Sequence, residues 1–298
     1  MTRLENANQR ADGLADLSPS AIKQCCAAVY DSDVARILLG DSLHPGGTKL
    51  TEHLGQILVL GPKMRVLDVA AGRGASAITL AKRFGCEVVG IDYSQRSVET
   101  AKRQARDRGL SEKVAFHCAD AEQLPFPSGS FDAIICECAL CTFPNKQSAA
   151  TELARVLRVG GRFGLSDLTR QGALPLELEG LVSWVACIAD AQPLNEYAAL
   201  LTAANLKILA TEEHNSVLIE FVDRIRTRLL VTEVMMGLNK LALPGFESRV
   251  SKNLLSAHWM QSRQASWVMQ LSRQSRLPRY DAAWSNVSDP LRAIPEEF

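Results

Sequence analysis

Between residues 65 and 168, short apolar runs alternate with stretches of helical period, and this alternation constrains the chain more than any other feature. The runs Arg65–Ala70, Glu87–Ile91, Val114–Cys118, Phe131–Cys136 and Arg162–Leu168 read as buried strands. Between them Ala75–Phe84, Gln95–Arg108 and Lys146–Leu157 read as helices, closed by Gly85, Gly109 and Gly160-Gly161. Strands that are apolar throughout are buried on both faces, and alternation with helices builds βαβ units. The expected fold class is α/β, a doubly wound, mostly parallel sheet.

The flanks are different. Helices are expected over Ser18–Tyr30, Asp33–Leu39 and Leu50–Leu60, with a turn at His44-Pro45-Gly46-Gly47. After residue 170 the pattern is helical again, then a helix over Asn195–Ala204 precedes a sixth strand at Leu206–Ala210. Helices are expected over Val217–Leu241 and Glu247–Leu271, with an irregular tail from Ser275. The chain therefore divides into an N-terminal helical cap (1–60), a core (61–215) with a lid at 170–205, and a C-terminal helical extension with its tail (216–298).

Lys+Arg and Asp+Glu balance at 33 each, which lacks the basic footprint of a nucleic-acid binder. No apolar run approaches bilayer length, so no membrane partner is expected. The N-terminus lacks the apolar core of a signal peptide. A cytoplasmic location is expected, where the eight cysteines act as packing residues, ligands or nucleophiles rather than as a disulfide framework.

The strand ends carry the chemistry. The first runs into Asp68-Val-Ala70-Ala-Gly72-Arg-Gly74, where glycines at a strand-to-helix turn let a ligand approach the backbone. Gly72-x-Gly74-x-x-Ala77 alone also fits a nicotinamide-dinucleotide turn. Asp68, however, would face a pyrophosphate unfavourably and suits an ammonium group. Asp92, followed by Tyr93, ends the second strand and can accept both hydroxyls of a ribose. Asp120, followed by Ala121, ends the third and can accept from an adenine amino group. Helix capping is the alternative role for Asp92 and Asp120. All three carboxylates lie at the carboxyl ends of strands, where open α/β sheets bind ligands.

The order VLDVAAGRG, VVGIDYS, CADAEQLPF, FDAIICE and LARVLRVGGRF resembles the class I S-adenosylmethionine-dependent methyltransferases, near their ubiquinone/sterol/arsenite branch. The resemblance implies a Rossmann-like seven-stranded sheet and S-adenosyl-L-methionine as cofactor. It places Asp68, Ala70 and Gly72 on the methionyl part, Asp92 and Tyr93 on the ribose and adenine edge, and Asp120 and Ala121 on the adenine, with Cys136 nearby at the fourth strand's end.

Six cysteines bear on the acceptor. Cys138-Ala-Leu-Cys141 is formally a C-x-x-C, but a zinc site needs a second ligand pair, and Cys25-Cys26 is a poor match. Cys138 just ahead of Pro144-Asn-Lys, and Cys187 after Trp184, are similar to arsenic-binding positions of arsenite methyltransferases. That resemblance implies a small-molecule acceptor that is a thiol, a sulfide or a metalloid, with As(III) at Cys138 and Cys187 and no resident metal. Cys138, Cys141 and Cys187 are otherwise small residues lining an apolar pocket. His44 can be a base, a ligand or the cap of its turn. Cys86 and Cys118 are expected in the core. A sulfonium methyl needs alignment more than activation, and carbon, oxygen or nitrogen of a small apolar metabolite is the alternative acceptor. A non-catalytic cofactor-binding role is the remaining alternative.

Overall fold

The computed structural model describes residues 18–40, 42–170, 191–237 and 264–273. Three helices come first: α1 (Pro19–Tyr30), α2 (Asp33–Leu39) and α3 (Gly47–Ile57). Ser18 and Ser32 start α1 and α2 by accepting the amides of Ala21 and Ala35, the usual way an orphan first-turn amide is satisfied. The core then runs β1 (Arg65–Val69), α4 (Ala75–Phe84), β2 (Glu87–Asp92), α5 (Gln95–Asp107), β3 (Val114–Cys118) and β4 (Phe131–Glu137). A 3-10 turn at Leu140–Thr142 follows, then α6 (Lys146–Val156), β5 (Leu157–Arg170), α7 (Leu194–Ala203), β6 (Leu206–Glu213), α8 (Asn215–Gly237) and β7 (Gln264–Arg273). Among the described residues, no helix is long and apolar enough to cross a membrane.

The seven strands form one sheet in the order β3-β2-β1-β4-β5-β7-β6. β1 to β5 are parallel, and β7 runs antiparallel to both β5 and β6. The chain steps outward from β1 through β2 to β3, then returns to build β4 and β5 on β1's other side. The carboxyl ends of β1 and β4 therefore splay at a switch point, the place where such sheets open a crevice. The side-chain alternation of β1 shows why the sheet is a middle layer: Leu67 and Val69 join the cluster under α6 and α7, while Val66 joins the one under α3, α4 and α5.

The expected fold class, a seven-stranded, mostly parallel sheet with flanking helices, is the observed one. Its last strand corrects the expectation for the C-terminal region. Residues 264–271, read as the end of a helix, are extended, and β7 is an inner strand between β5 and β6. β5 also begins earlier than expected, at Leu157. Its register with β4 jumps from Phe131↔Leu157 to Ala133↔Arg162, so the glycine pair sits in a bulge, with Gly160 at φ 75°, rather than in a loop. Cys86 is in the core, but Cys118 is exposed, because β3 is an edge strand. Cys187 and the 171–190 part of the expected lid lie outside the described residues.

Candidate active site

β1 does not run smoothly into α4. Ala70 takes a left-handed backbone at φ 58°, and Gly72 and Gly74 follow at 52° and 84°. The Ala71 amide donates to Ile91 and its carbonyl accepts from Gly74, so the chain doubles back tightly over β2. Gly74 is glycine for packing as well as for its φ. A Cβ there would lie 2.5 Å from the Phe116 ring, and one on Gly90 would also lie 2.5 Å from that ring. Phe116 thus fills the space beneath the turn from β3, and Gly72, not Gly74, faces the cleft.

That cleft encloses about 1150 Å³ at the β1/β4 switch point and is closed from the N-terminal side by α1. Of the expected cofactor-binding residues, Asp68, Ala70, Gly72, Asp92, Tyr93, Asp120 and Ala121 all line it. Cys136 does not. It pairs with Val69 and Leu165 inside the sheet and is fully buried, and burial, then the nearby Asp167 and Asp68, pushes its thiol well up. Of the expected catalytic residues, His44 and Cys138 line the cleft and so share its wall with the Gly72 turn. Cys141 does not. It is buried beside Leu168, Ala191, Leu218 and Val222, with its amide donating to Asp167. The C-x-x-C spacing is that of the 3-10 turn, which sends Cys141 away from Cys138. Cys26, from α1, also lines the cleft.

The carboxylates divide the cleft. Asp92 accepts the amides of Gly72 and Ser94, each at 2.8 Å, fixing the turn against β2. Burial raises its pKa against these two bonds. Asp120 accepts Lys23 Nζ at 2.7 Å, and Lys23 also reaches Glu122 at 2.6 Å. Lys23 lies 6.0 Å over the Tyr93 ring. At the other end of α1, Asp31 accepts the Ser94 and Ser97 hydroxyls, so the helix is tied down at both ends.

Asp68 is the outlier. It is buried, and its Oδ2 has no hydrogen-bond partner among the described residues. Burial, then the charge of Glu137, raises its carboxyl well above the ordinary value, against one bond from the Ala77 amide. A buried carboxylate short of partners is a site for a cation. The cationic methionyl end of S-adenosylmethionine supplies one, so the residues present fit that cofactor.

A polar cluster absent from the sequence reading faces Asp68. Glu137, at the end of β4, accepts Thr51 Oγ1 at 2.9 and 3.1 Å and Ser76 Oγ at 2.6 Å. His44 Nε2 stands 3.6 Å from Glu137, 3.1 Å from Ser42 Oγ and 3.4 Å from Ser76 Oγ. Its Nδ1 lies 3.0 Å from the Pro45 carbonyl. A carbonyl can only accept, so Nδ1 carries the proton, and in the neutral ring Nε2 keeps its lone pair.

Residues 66–161 match the methyltransferase domain family. The chain is 34% identical over 172 residues to the methyltransferase GfsG of Streptomyces halstedii, covering 57% of this chain and 62% of that protein. It is 31% identical over 201 residues to the 27-O-demethylrifamycin SV methyltransferase of Amycolatopsis mediterranei, covering 62% of this chain and 74% of the relative. The chain belongs to the class I S-adenosylmethionine-dependent methyltransferases. This methyltransferase spans less than two thirds of GfsG. Its fold matches that of the [4+2]-cyclase SpnF with a TM-score of 0.71 at 22% identity, over 87% of this chain and 97% of that one. It also matches a phosphoethanolamine N-methyltransferase of Haemonchus contortus, solved with S-adenosyl-L-methionine, with a TM-score of 0.70 at 16% identity. That likeness covers 85% of this chain and 60% of the other. At such identities the likeness concerns the fold alone.

Proposed function

We propose that the protein transfers a methyl group from S-adenosylmethionine to a hydroxyl of a small, largely apolar molecule. The observation that carries this reading is the His44–Glu137 pair facing the cleft beside Asp68. When bound, the cofactor supplies a methyl group already activated on a sulfonium. The protein's part is to hold the two reactants in line, exclude water and take one proton. Asp68 holds the methionyl ammonium, Asp92 the ribose and Asp120 the adenine edge. His44 Nε2 accepts the proton of the acceptor hydroxyl, and the Glu137 carboxylate 3.6 Å away stabilises the imidazolium so formed. Thr51 and Ser76, by donating to Glu137, keep its carboxylate turned toward the histidine. Tyr30, Cys26, Cys138 and Phe143 give the acceptor end its apolar walls. Hydroxyl methylation also agrees with the name of the rifamycin relative.

A second reading keeps a soft acceptor, a thiol, a sulfide or arsenite. The observation favouring it is that Cys26 and Cys138 line the same cleft, where thiolates would suit a thiophilic centre. One experiment separates the two. Release of S-adenosylhomocysteine is measured with phenolic and macrolide hydroxyl acceptors, and with arsenite plus glutathione and sulfide. His44→Ala should lower turnover of the hydroxyl acceptor about a hundredfold or more at unchanged cofactor affinity, while Cys138→Ser changes it little. Full activity of His44→Ala defeats the hydroxyl reading. Turnover with arsenite alone, abolished in Cys138→Ser, establishes the soft acceptor instead.

A further inference from the structure

Among the described residues, one group of side chains outside the cleft has the makings of a metal site: His53, Glu212 and His214, whose ligand atoms all lie within 4.8 Å of one another. His53 is on α3, while Glu212 is in β6 and His214 one residue beyond it. Residues two apart on an extended chain face the same way, so Glu212 and His214 both point at the helix. Glu212 Oε2 is 2.6 Å from His53 Nε2 and 3.1 Å from His214 Nε2. The two imidazoles approach at 5.6 Å between centroids, edge to face, and so present their Nε2 atoms to one point rather than stacking. Nothing in the sequence links His53 to a pair 159 residues and more away; β6 folding back beside α3 makes the group.

We propose that His53, Glu212 and His214 bind a divalent transition-metal ion of zinc-like preference at the surface, tying α3 to the edge strand β6. Two imidazoles and a carboxylate are the donor set of a borderline cation, with a remaining position open to water. Zinc bonds of about 2.0–2.1 Å to nitrogen and oxygen place tetrahedral donors about 3.3 Å apart. The three groups reach that spacing by shifts of side chains alone. His53 and Glu212 are 40% and 38% exposed, so an ion can enter and the side chains can rotate. Burial would push the Glu212 carboxyl up, but the hydrogen bonds from both histidines outweigh it and hold it below the ordinary value. The carboxylate is thus already charged when the ion arrives. None of the three residues lines the cleft. Thr51, two residues from His53 on α3, nevertheless bonds Glu137 inside it. A metal here would fix the helix that positions the cleft's buried acid.

The test is zinc titration of the metal-stripped full chain, read by thermal denaturation and by native mass after desalting. The expected result is a rise in Tm with one zinc retained per chain. His53→Gln, His214→Gln and Glu212→Gln should each weaken the response at least about tenfold, since even partners outside the ligand set cost that much. Circular dichroism without metal shows which variants fold, and any one folded variant suffices. A wild-type chain that binds no zinc overturns the proposal. So does a His53→Gln/His214→Gln chain that binds as the wild type does, which would hand the ion to the cysteines.

Discussion

At the scale of single residues, the decisive group is Asp68. Its folded pKa is raised, first by burial and then by Glu137. The stability gained from its protonated form is full below the ordinary carboxylate value and is lost as pH rises through the raised one. A bound ammonium group reverses the preference and favours the carboxylate. Cofactor binding should therefore expel a proton in the range where free Asp68 is protonated, and affinity should rise with pH across it. Calorimetry in buffers of different ionisation enthalpy reads that proton directly. Asp68→Asn should abolish the release and weaken binding about ten- to a hundredfold, the loss of one charge-assisted bond; an unchanged proton count would remove Asp68 from the cationic end. Asp68, Asp92 and Asp120 were legible in the sequence because each follows directly on the apolar run that fixes its place. The His44–Glu137 pair was not. Glu137 reads as the polar end of a strand, and its partners arrive from α3, α4 and the 42–46 loop, none of which announces the meeting.

At the scale of elements, α1 behaves as a clasp with two catches, Lys23 on Asp120 and Glu122, and Asp31 on Ser94 and Ser97. Burial opposes the Lys23 charge, but its two carboxylate partners outweigh it and raise the pKa. The catch therefore holds at neutral pH and fails only as pH rises through that raised value. Lys23→Met should speed hydrogen exchange of the α1 amides about fivefold, the equivalent of roughly 1 kcal/mol for a partly exposed pair. Unchanged exchange would assign the hold to Asp31 alone. The parallel strands and their helices were legible because glycines punctuate every change of period. β7 was missed although Ala265, Trp267, Met269 and Leu271 alternate with Gln264, Ser266, Gln270 and Ser272. Val268 breaks the alternation, and the helical stretch expected before it carries no glycine or proline near the boundary to mark a change.

At the scale of the whole molecule, the sheet depends on a strand distant in sequence from both its neighbours. Leu271 is fully buried, and β5 and β6 meet only through β7. A chain ended at residue 263 leaves two facing strand edges unpaired. It should lose its cooperative thermal transition and associate, as read by circular dichroism melting and size exclusion; a melt like that of the full chain would show β7 to be dispensable.

The same insertion sets an order of events on the ribosome. β1 to β5 can pair as they emerge, since each finds its neighbour already made. β5 then stands as an open edge until Gln264 has been added, and β6, finished at Glu213, has nothing to pair with in the interval. At about 5–20 residues per second the wait from Arg170 is roughly 5–20 s, far longer than a hairpin takes to form. Throughout translation of that stretch the nascent chain displays a strand edge that fits β7 and would equally accept a strand from a neighbouring polypeptide.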